Sequence, residues 1–135
     1  VGHVHSGALG WVAMISFGAT YMLIPKCLGL KDMASMKLVD LHFWVHTIGV
    51  VLYAASMWIA GVGQGLMARA SNADGTLTYA FVESVKSTYP FWTIRFLGGL
   101  MFLTGMLLMA WNVWKTIAGG KAYDAPVLAP AGQHA

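Results

Sequence analysis

Apolar and polar positions along the chain are gathered into blocks rather than alternating. Three apolar stretches, residues 2–25, 41–68 and 91–118, each reach the roughly 20 residues that a bilayer-crossing helix needs. At about 1.5 Å per residue they would extend about 36–42 Å, enough to cross with some tilt. None shows the period of two expected of a half-buried strand. The pattern predicts three transmembrane helices. The first ends at Pro25 followed by Lys26, a proline stop with a cation in the last turn. The third closes on Gly119 and Gly120, read as a C-terminal glycine cap.

The connections differ in character. Residues 27–40 carry Lys31, Asp32, Lys37 and Asp40. Residues 69–90 contain a turn-like Asn72-Ala73-Asp74-Gly75 and then a mixed stretch, 79–86, that predicts a short helix lying on the membrane surface. Residues 119–135, with Pro126, Pro130 and Gly132, are expected to form a flexible tail. The expected fold is all-α and membrane-embedded.

Composition sharpens this picture. Hydrophobic residues make up 58% of the chain and charged residues 10%, and the mean hydropathy is +0.65. So few charges cannot cover a soluble surface, and so many apolar groups exclude disorder, which makes the lipid bilayer the first partner. The net charge of +3 is scattered rather than gathered on one face, which excludes nucleic-acid binding. One cysteine, Cys27, excludes a disulfide framework and a cysteine-based zinc site. The chain starts at Val1 without a positively charged leader, so it reads as the interior of a longer protein rather than a signal peptide. With three crossings, Lys26, Lys31, Lys37, Lys115 and Lys121 share one side and Arg69, Lys86 and Arg95 the other, which predicts a cytoplasmic C-terminus.

Chemistry concentrates at the start of the first helix. His3 and His5 lie in Gly2-His3-Val4-His5-Ser6-Gly7, and an imidazole within a membrane is costly unless it has a partner. At 3.6 residues per turn, positions two apart project about 200° from one another, so both rings cannot bind one metal from a regular helix. The spacing suits two centres flanking one helix, each taking one axial imidazole, and haem iron in an apolar slot fits that requirement. Gly2, Ser6, Gly7 and Gly10 would let a macrocycle approach the backbone. The plain alternative is a pair of wet interfacial histidines without ligands.

Other residues carry weaker signals. Arg95, near the predicted outer end of the third helix, suits a carboxylate such as a haem propionate, or else snorkels to the interface. Arg69 is a lesser candidate because it reaches water more easily. His42 and His46 are one turn apart on one face, a spacing that can clamp a metal, although helix packing or an interfacial position is the simpler reading. Gly61 and Gly65 in the second stretch, and Gly98, Gly99 and Gly105 in the third, predict close helix contacts. Thr20, Tyr21, Thr47, Ser56, Gln64, Thr104 and Asn112 either line a proton path or bond neighbouring helices.

The segment Gly2-His3-Val4-His5-Ser6-Gly7-Ala8-Leu9-Gly10-Trp11 resembles the two-haem helix of the catalytic subunit of cbb3-type cytochrome c oxidases, in the haem-copper oxidase superfamily. The likeness continues through Leu41-His42-Phe43-Trp44, through Ala60-Gly61-Val62-Gly63-Gln64-Gly65-Leu66-Met67 and through Asp74-Gly75-Thr76-Leu77-Thr78-Tyr79. It returns in Phe81-Val82-Glu83-Ser84-Val85 and Ile94-Arg95-Phe96-Leu97-Gly98-Gly99. The resemblance implies the last three helices of a twelve-helix subunit I in a bacterial inner membrane. It also implies a complex that oxidises cytochrome c, reduces dioxygen to water and pumps protons alongside cytochrome c-type haem subunits. By the same resemblance His3 is the proximal ligand of high-spin haem b3, His5 is an axial ligand of low-spin haem b, and the copper ligands lie outside this chain. Two other readings stand beside it: a nitric oxide reductase large subunit, and a haem-free structural membrane subunit.

Overall fold

The computed structural model describes residues 1–121, and every long element in it is helical. The first rod, Gly2–Cys27, has three parts: α1 (Gly2–His5), a π-helical stretch (Ser6–Val12) and α2 (Ala13–Cys27). After it come α3 (Met36–Arg69), the short α4 (Phe81–Lys86) and α5 (Tyr89–Gly119). Three segments, Gly2–Cys27, Met36–Arg69 and Phe81–Gly119, are long and apolar enough to cross a membrane. The expected all-α membrane architecture is what the chain adopts.

The π-helical stretch was not legible in the apolar pattern. It begins where two side chains compete for backbone acceptors: Ser6 donates to the Gly2 carbonyl at 2.8 Å and His5 Nδ1 lies 3.0 Å from the Val1 carbonyl. Gly7 and Gly10 lower the helix propensity of the same turn, and the Ala13 amide reaches back to the carbonyl of Ala8, five residues earlier.

Element ends also depart from the pattern. The first rod runs through Pro25 to Cys27 and closes where Gly29, at φ +65°, takes the left-handed conformation that glycine adopts without strain. The Leu30 amide then bonds the Pro25 carbonyl at 2.8 Å. The second helix starts at Met36 rather than residue 41, because the Ser35 hydroxyl accepts from the Leu38 amide as an N-cap. At the other end of the chain Gly120 sits at φ −64° and ψ 145°, so the expected left-handed glycine cap is not formed. Of the expected tail, residues 122–135 lie outside the described residues. Of the short helix expected over 79–86, residues Phe81–Lys86 are helical as α4, where Glu83 Oε2 accepts from the Ala80 amide at 2.8 Å.

The main packing is α3 against α5. Their backbones meet at Gly49 and Gly98: a Cβ on Gly98 would lie 2.7 Å from the Gly49 carbonyl oxygen and 2.9 Å from the Tyr53 amide nitrogen. Small residues allow this approach, which lets van der Waals contact hold helices together where lipid offers no hydrophobic drive. Gly105 of α5 faces His42, with 3.0 Å from its would-be Cβ to the ring carbon Cδ2. The expectation for Gly61 and Gly65 fails within the described chain, since neither meets anything within 4 Å. The buried residues of α3 are His42, His46, Gly49 and Ser56, while its large apolar side chains, Trp58 and Val62 among them, face outward. This inverts the pattern of a soluble core.

A second clamp ties the entry of α3 to the far end of α5. Asn112 accepts from the Ser35 amide at 3.0 Å and donates to the Ser35 carbonyl at 2.9 Å, while Thr116 accepts from the Ala34 amide at 2.9 Å. Both side chains are fully buried.

Candidate functional site

The first candidate site is built from α1, the middle of α3 and the start of α5. His5 is half-buried and its ring lies 5.4 Å, centroid to centroid, from Tyr53 of α3. With its Nδ1 directed to the Val1 carbonyl, its Nε2 is left available to a ligand. That arrangement, one ring nitrogen bonded to a backbone carbonyl and the other free, is the one that orients a metal-ligating imidazole. His3 is exposed, about 200° around the same turn. The two rings are thus not brought together, and among the described residues no group of three or more His, Cys, Asp or Glu side chains could hold a metal ion.

The small residues around these histidines divide into two sets. A Cβ on Gly2 would overlap the Trp58 ring, and Gly10 lies against Val50, so both serve contact with α3. Gly7, one turn beyond His3, meets nothing within 4 Å and leaves its backbone open beside that ring. An open backbone next to an exposed imidazole is compatible with a flat macrocycle. The residues beside His3 therefore fit a haem, whereas Gly2 and Gly10, expected to let a macrocycle approach, are occupied by α3.

Arg95 is exposed, and its guanidinium carbon lies 5.8 Å from the centroid of the Tyr53 ring. It also lines a groove of about 640 Å³ together with Gly2, Ser56, Trp58, Gln64 and Trp92. Tyr53 is therefore the residue that sequence reasoning missed: its ring meets both His5 and Arg95. A signal existed, because Tyr53 follows His42 and His46 at helical spacing on one face of α3. Arg69 ends α3, next to the 70–80 loop, and meets neither histidine.

His42 and His46 lie elsewhere. Both are fully buried, at 2% and 0% exposure, which removes the interfacial reading and leaves helix packing. Tyr21 bonds His42 Nδ1 at 2.7 Å. Of the other polar residues, Thr20 and Thr104 bond their own helices, at Ser16 and Leu100, and Asn112 forms the clamp described above.

The chain matches the model of a protein family described as Cytochrome C and Quinol oxidase polypeptide I over residues 1–101. A cbb3-type cytochrome c oxidase subunit CcoN1 from Stutzerimonas stutzeri is 56% identical over 127 residues, covering 93% of this chain and 27% of that relative. A cytochrome c oxidase subunit 1 homolog from Azorhizobium caulinodans is 54% identical over 134 residues, covering 97% and 24%. Cytochrome c oxidase subunit 1 of Rhodobacter capsulatus is 49% identical over 118 residues, covering 87% and 22%. The chain spans about a quarter of the length of the curated relatives it matches. The family match runs over the N-terminal part, residues 1–101, and ends inside α5. The comparisons support the expected subunit, and not the expected place as the last three of its twelve helices.

Proposed function

Because the chain belongs to the family of cytochrome c and quinol oxidase polypeptide I, we propose that it is a segment of the haem-bearing subunit of a cbb3-type terminal oxidase. The whole enzyme oxidises cytochrome c, reduces dioxygen to water and moves protons across the bacterial inner membrane. The names of the relatives, all of them cytochrome c oxidase subunits, favour this over a nitric oxide reductase. On this reading the C-terminus is cytoplasmic, and the partners are the rest of subunit I and the cytochrome c-type haem subunits.

The observation that carries the proposal is the separation of the two rings: His5 faces Tyr53 with a free Nε2, and His3 faces outward beside the open Gly7. His5 would hold the iron of low-spin haem b, and His3 would hold the iron of high-spin haem b3. When bound, the first haem passes electrons and the second, with copper held by residues outside this chain, supplies the centre where dioxygen is reduced. The chain's own contribution is placement. The Val1 carbonyl and the Tyr53 ring fix the plane of His5, and the single intervening Val4 sets a short, rigid distance between the two ligands. Arg95, already beside Tyr53, pairs with a haem propionate through its planar fork. The segment alone supplies one ligand of one site and the proximal side of another, and does not reduce oxygen.

The test uses the intact oxidase. His5→Ala is expected to remove the low-spin haem band from the reduced-minus-oxidised spectrum while carbon monoxide still binds. His3→Ala is expected to remove carbon monoxide binding while the low-spin band remains. Loss of the same haem in both variants overturns the assignment.

A further inference from the structure

A second polar site lies along α3, away from His3, His5 and Arg95. It consists of Tyr21 on α2 and His42 and His46 on α3. Three buried polar atoms here have no hydrogen-bond partner among the described residues: His42 Nε2, His46 Nδ1 and His46 Nε2. His46 is the extreme case, with 0% exposure and no hydrogen bond of full geometry at either ring nitrogen, although the Leu9 carbonyl lies beside the ring. A buried polar group left in this state is costly, and the large majority of buried side-chain polar atoms in folded proteins find a protein or water partner.

Space for water adjoins them. A cavity of about 620 Å³ is lined by Phe17, Gly18, Tyr21, Asp40, His42 and His46, among others. Its Asp40 is exposed on the first turns of α3, and the same cavity is lined by both rings, with apolar Met14, Ile15, Val39 and Phe43 among its walls. The His42 and His46 centroids are 5.4 Å apart, and Phe17 and Phe102 hold the His46 ring from two sides, at 4.8 and 4.3 Å. A water molecule needs two to four polar partners, and these nitrogens can supply them.

We infer that Tyr21, His42 and His46 form an internal water-binding site within the membrane-spanning bundle, holding a short chain of water molecules that exchanges protons between the two imidazoles. Each exchange places a proton from water on one ring nitrogen while the other nitrogen of that ring releases its own. Only N–H and O–H bonds change, and no net charge accumulates. Ionisable intramembrane residues that face a bundle interior mark such paths. The groups facing the site are Tyr21 from α2, Asp40 from α3, and the uncharged Phe102 and Gly105 from α5. The site is independent of the haem assignment, since none of its residues touches His3, His5 or Arg95.

The experiment uses the intact, haem-replete oxidase in lipid, with the histidine ring nitrogens labelled, read by solid-state NMR with magnetisation transferred from water. Signals are assigned by their loss in His42→Gln and His46→Gln. Transfer from water to both rings is expected, with the two nitrogen shifts of each ring averaged by proton exchange. Tyr21→Phe, which keeps the ring and removes the hydroxyl, is expected to shift the His42 Nδ1 signal and leave the haem spectrum unchanged. If no water magnetisation reaches His46 in enzyme with a normal haem spectrum, the site is dry and the inference is overturned. Fixed, separate nitrogen shifts in a wet ring overturn the proton exchange. Failure of the haem assignment would instead change the optical spectra and leave the water transfer to His46 intact.

Discussion

The middle and the starting end of α3 handle histidine in opposite ways. In the middle, His5 is half-buried, and His3 and Arg95 are exposed around a tyrosine ring that contacts two of the three. At the other, His42 and His46 are buried between α2 and α5, and among their ring nitrogens only His42 Nδ1 has a side-chain partner in the described residues, Tyr21. The first presents its imidazoles and guanidinium toward the outside of the described chain. The second buries its rings among α2, α3 and α5, beside a cavity of about 620 Å³. Exposure of polar groups inside a membrane span thus marks an interface for a cofactor or further helices, whereas orphaned buried groups mark internal water.

The contrast breaks first at the contact that supports the open site. Gly98→Leu would drive a side chain into the Gly49 carbonyl and the Tyr53 backbone, both of which are helix backbone and cannot rotate aside. Overpacking of this kind costs about 1–3 kcal/mol and occasionally more, and a leucine against two backbones falls at the upper end. The expected outcome is poor assembly of the subunit, with a lowered thermal midpoint and a displaced Tyr53. Its neighbour Gly99 is the control: a Cβ there would meet the Tyr53 ring at 3.8 Å, an ordinary contact, so Gly99→Ala should leave the midpoint nearly unchanged. Equal damage from both would show that α3 and α5 do not meet as described.

Much of this contrast was readable from residue order, and its limits have physical causes. Three apolar blocks of spanning length sufficed for the helices, because a bilayer demands continuous apolar surface whatever packs inside. The opposed placement of His3 and His5 followed from helical geometry alone. The π-helical stretch was hidden, because it depends on where Ser6 and His5 send their side-chain hydrogen bonds. The burial of His42 and His46 was hidden too: an i, i+4 histidine pair looks the same on a packed face as at an interface. Which glycines carry the packing was half legible, since Gly98, Gly99 and Gly105 meet α3, whereas Gly61 and Gly65 meet nothing in the described chain.

The starting end has its own weak point, of smaller expected effect than Gly98. Asn112→Ala would leave the Ser35 amide and carbonyl without their partners, next to a fully buried Thr116. Each unpaired buried group costs about 1–3 kcal/mol, reduced where water takes over. The expected result is a modest loss of thermal stability together with faster proteolysis in the 27–35 connection, and unchanged haem spectra. If the haem bands of Asn112→Ala fall as well, the middle and the starting end of α3 are not separable.

The smallest effect is expected in the loop beyond the open site. Residues 70–78 form a small hairpin: the Asn72 amide bonds the Thr76 carbonyl at 2.8 Å, the Thr78 amide bonds the Ala70 carbonyl at 3.0 Å, and Gly75 turns the chain at φ +82°. Asp74 Oδ1 accepts from the Thr76 hydroxyl at 2.7 Å and from its amide at 3.0 Å. These donors, the hydroxyl first, hold the Asp74 carboxyl below its ordinary value of 3.8. A carboxyl depressed in the folded state contributes stability that is present above its unfolded value and lost as pH falls through the folded one. Protection of this loop from proteolysis should therefore be constant at neutral pH and weaken only in acid, below the ordinary carboxylate range. Thr76→Val removes the stronger donor and should move that loss toward higher pH, while Asp74→Asn should abolish the pH dependence. Asp74 is fully exposed, so the change should stay confined to the loop, with both haem bands and the His46 water signal unaltered; a loss of haem in Asp74→Asn would mean that the loop is part of the open site rather than its border.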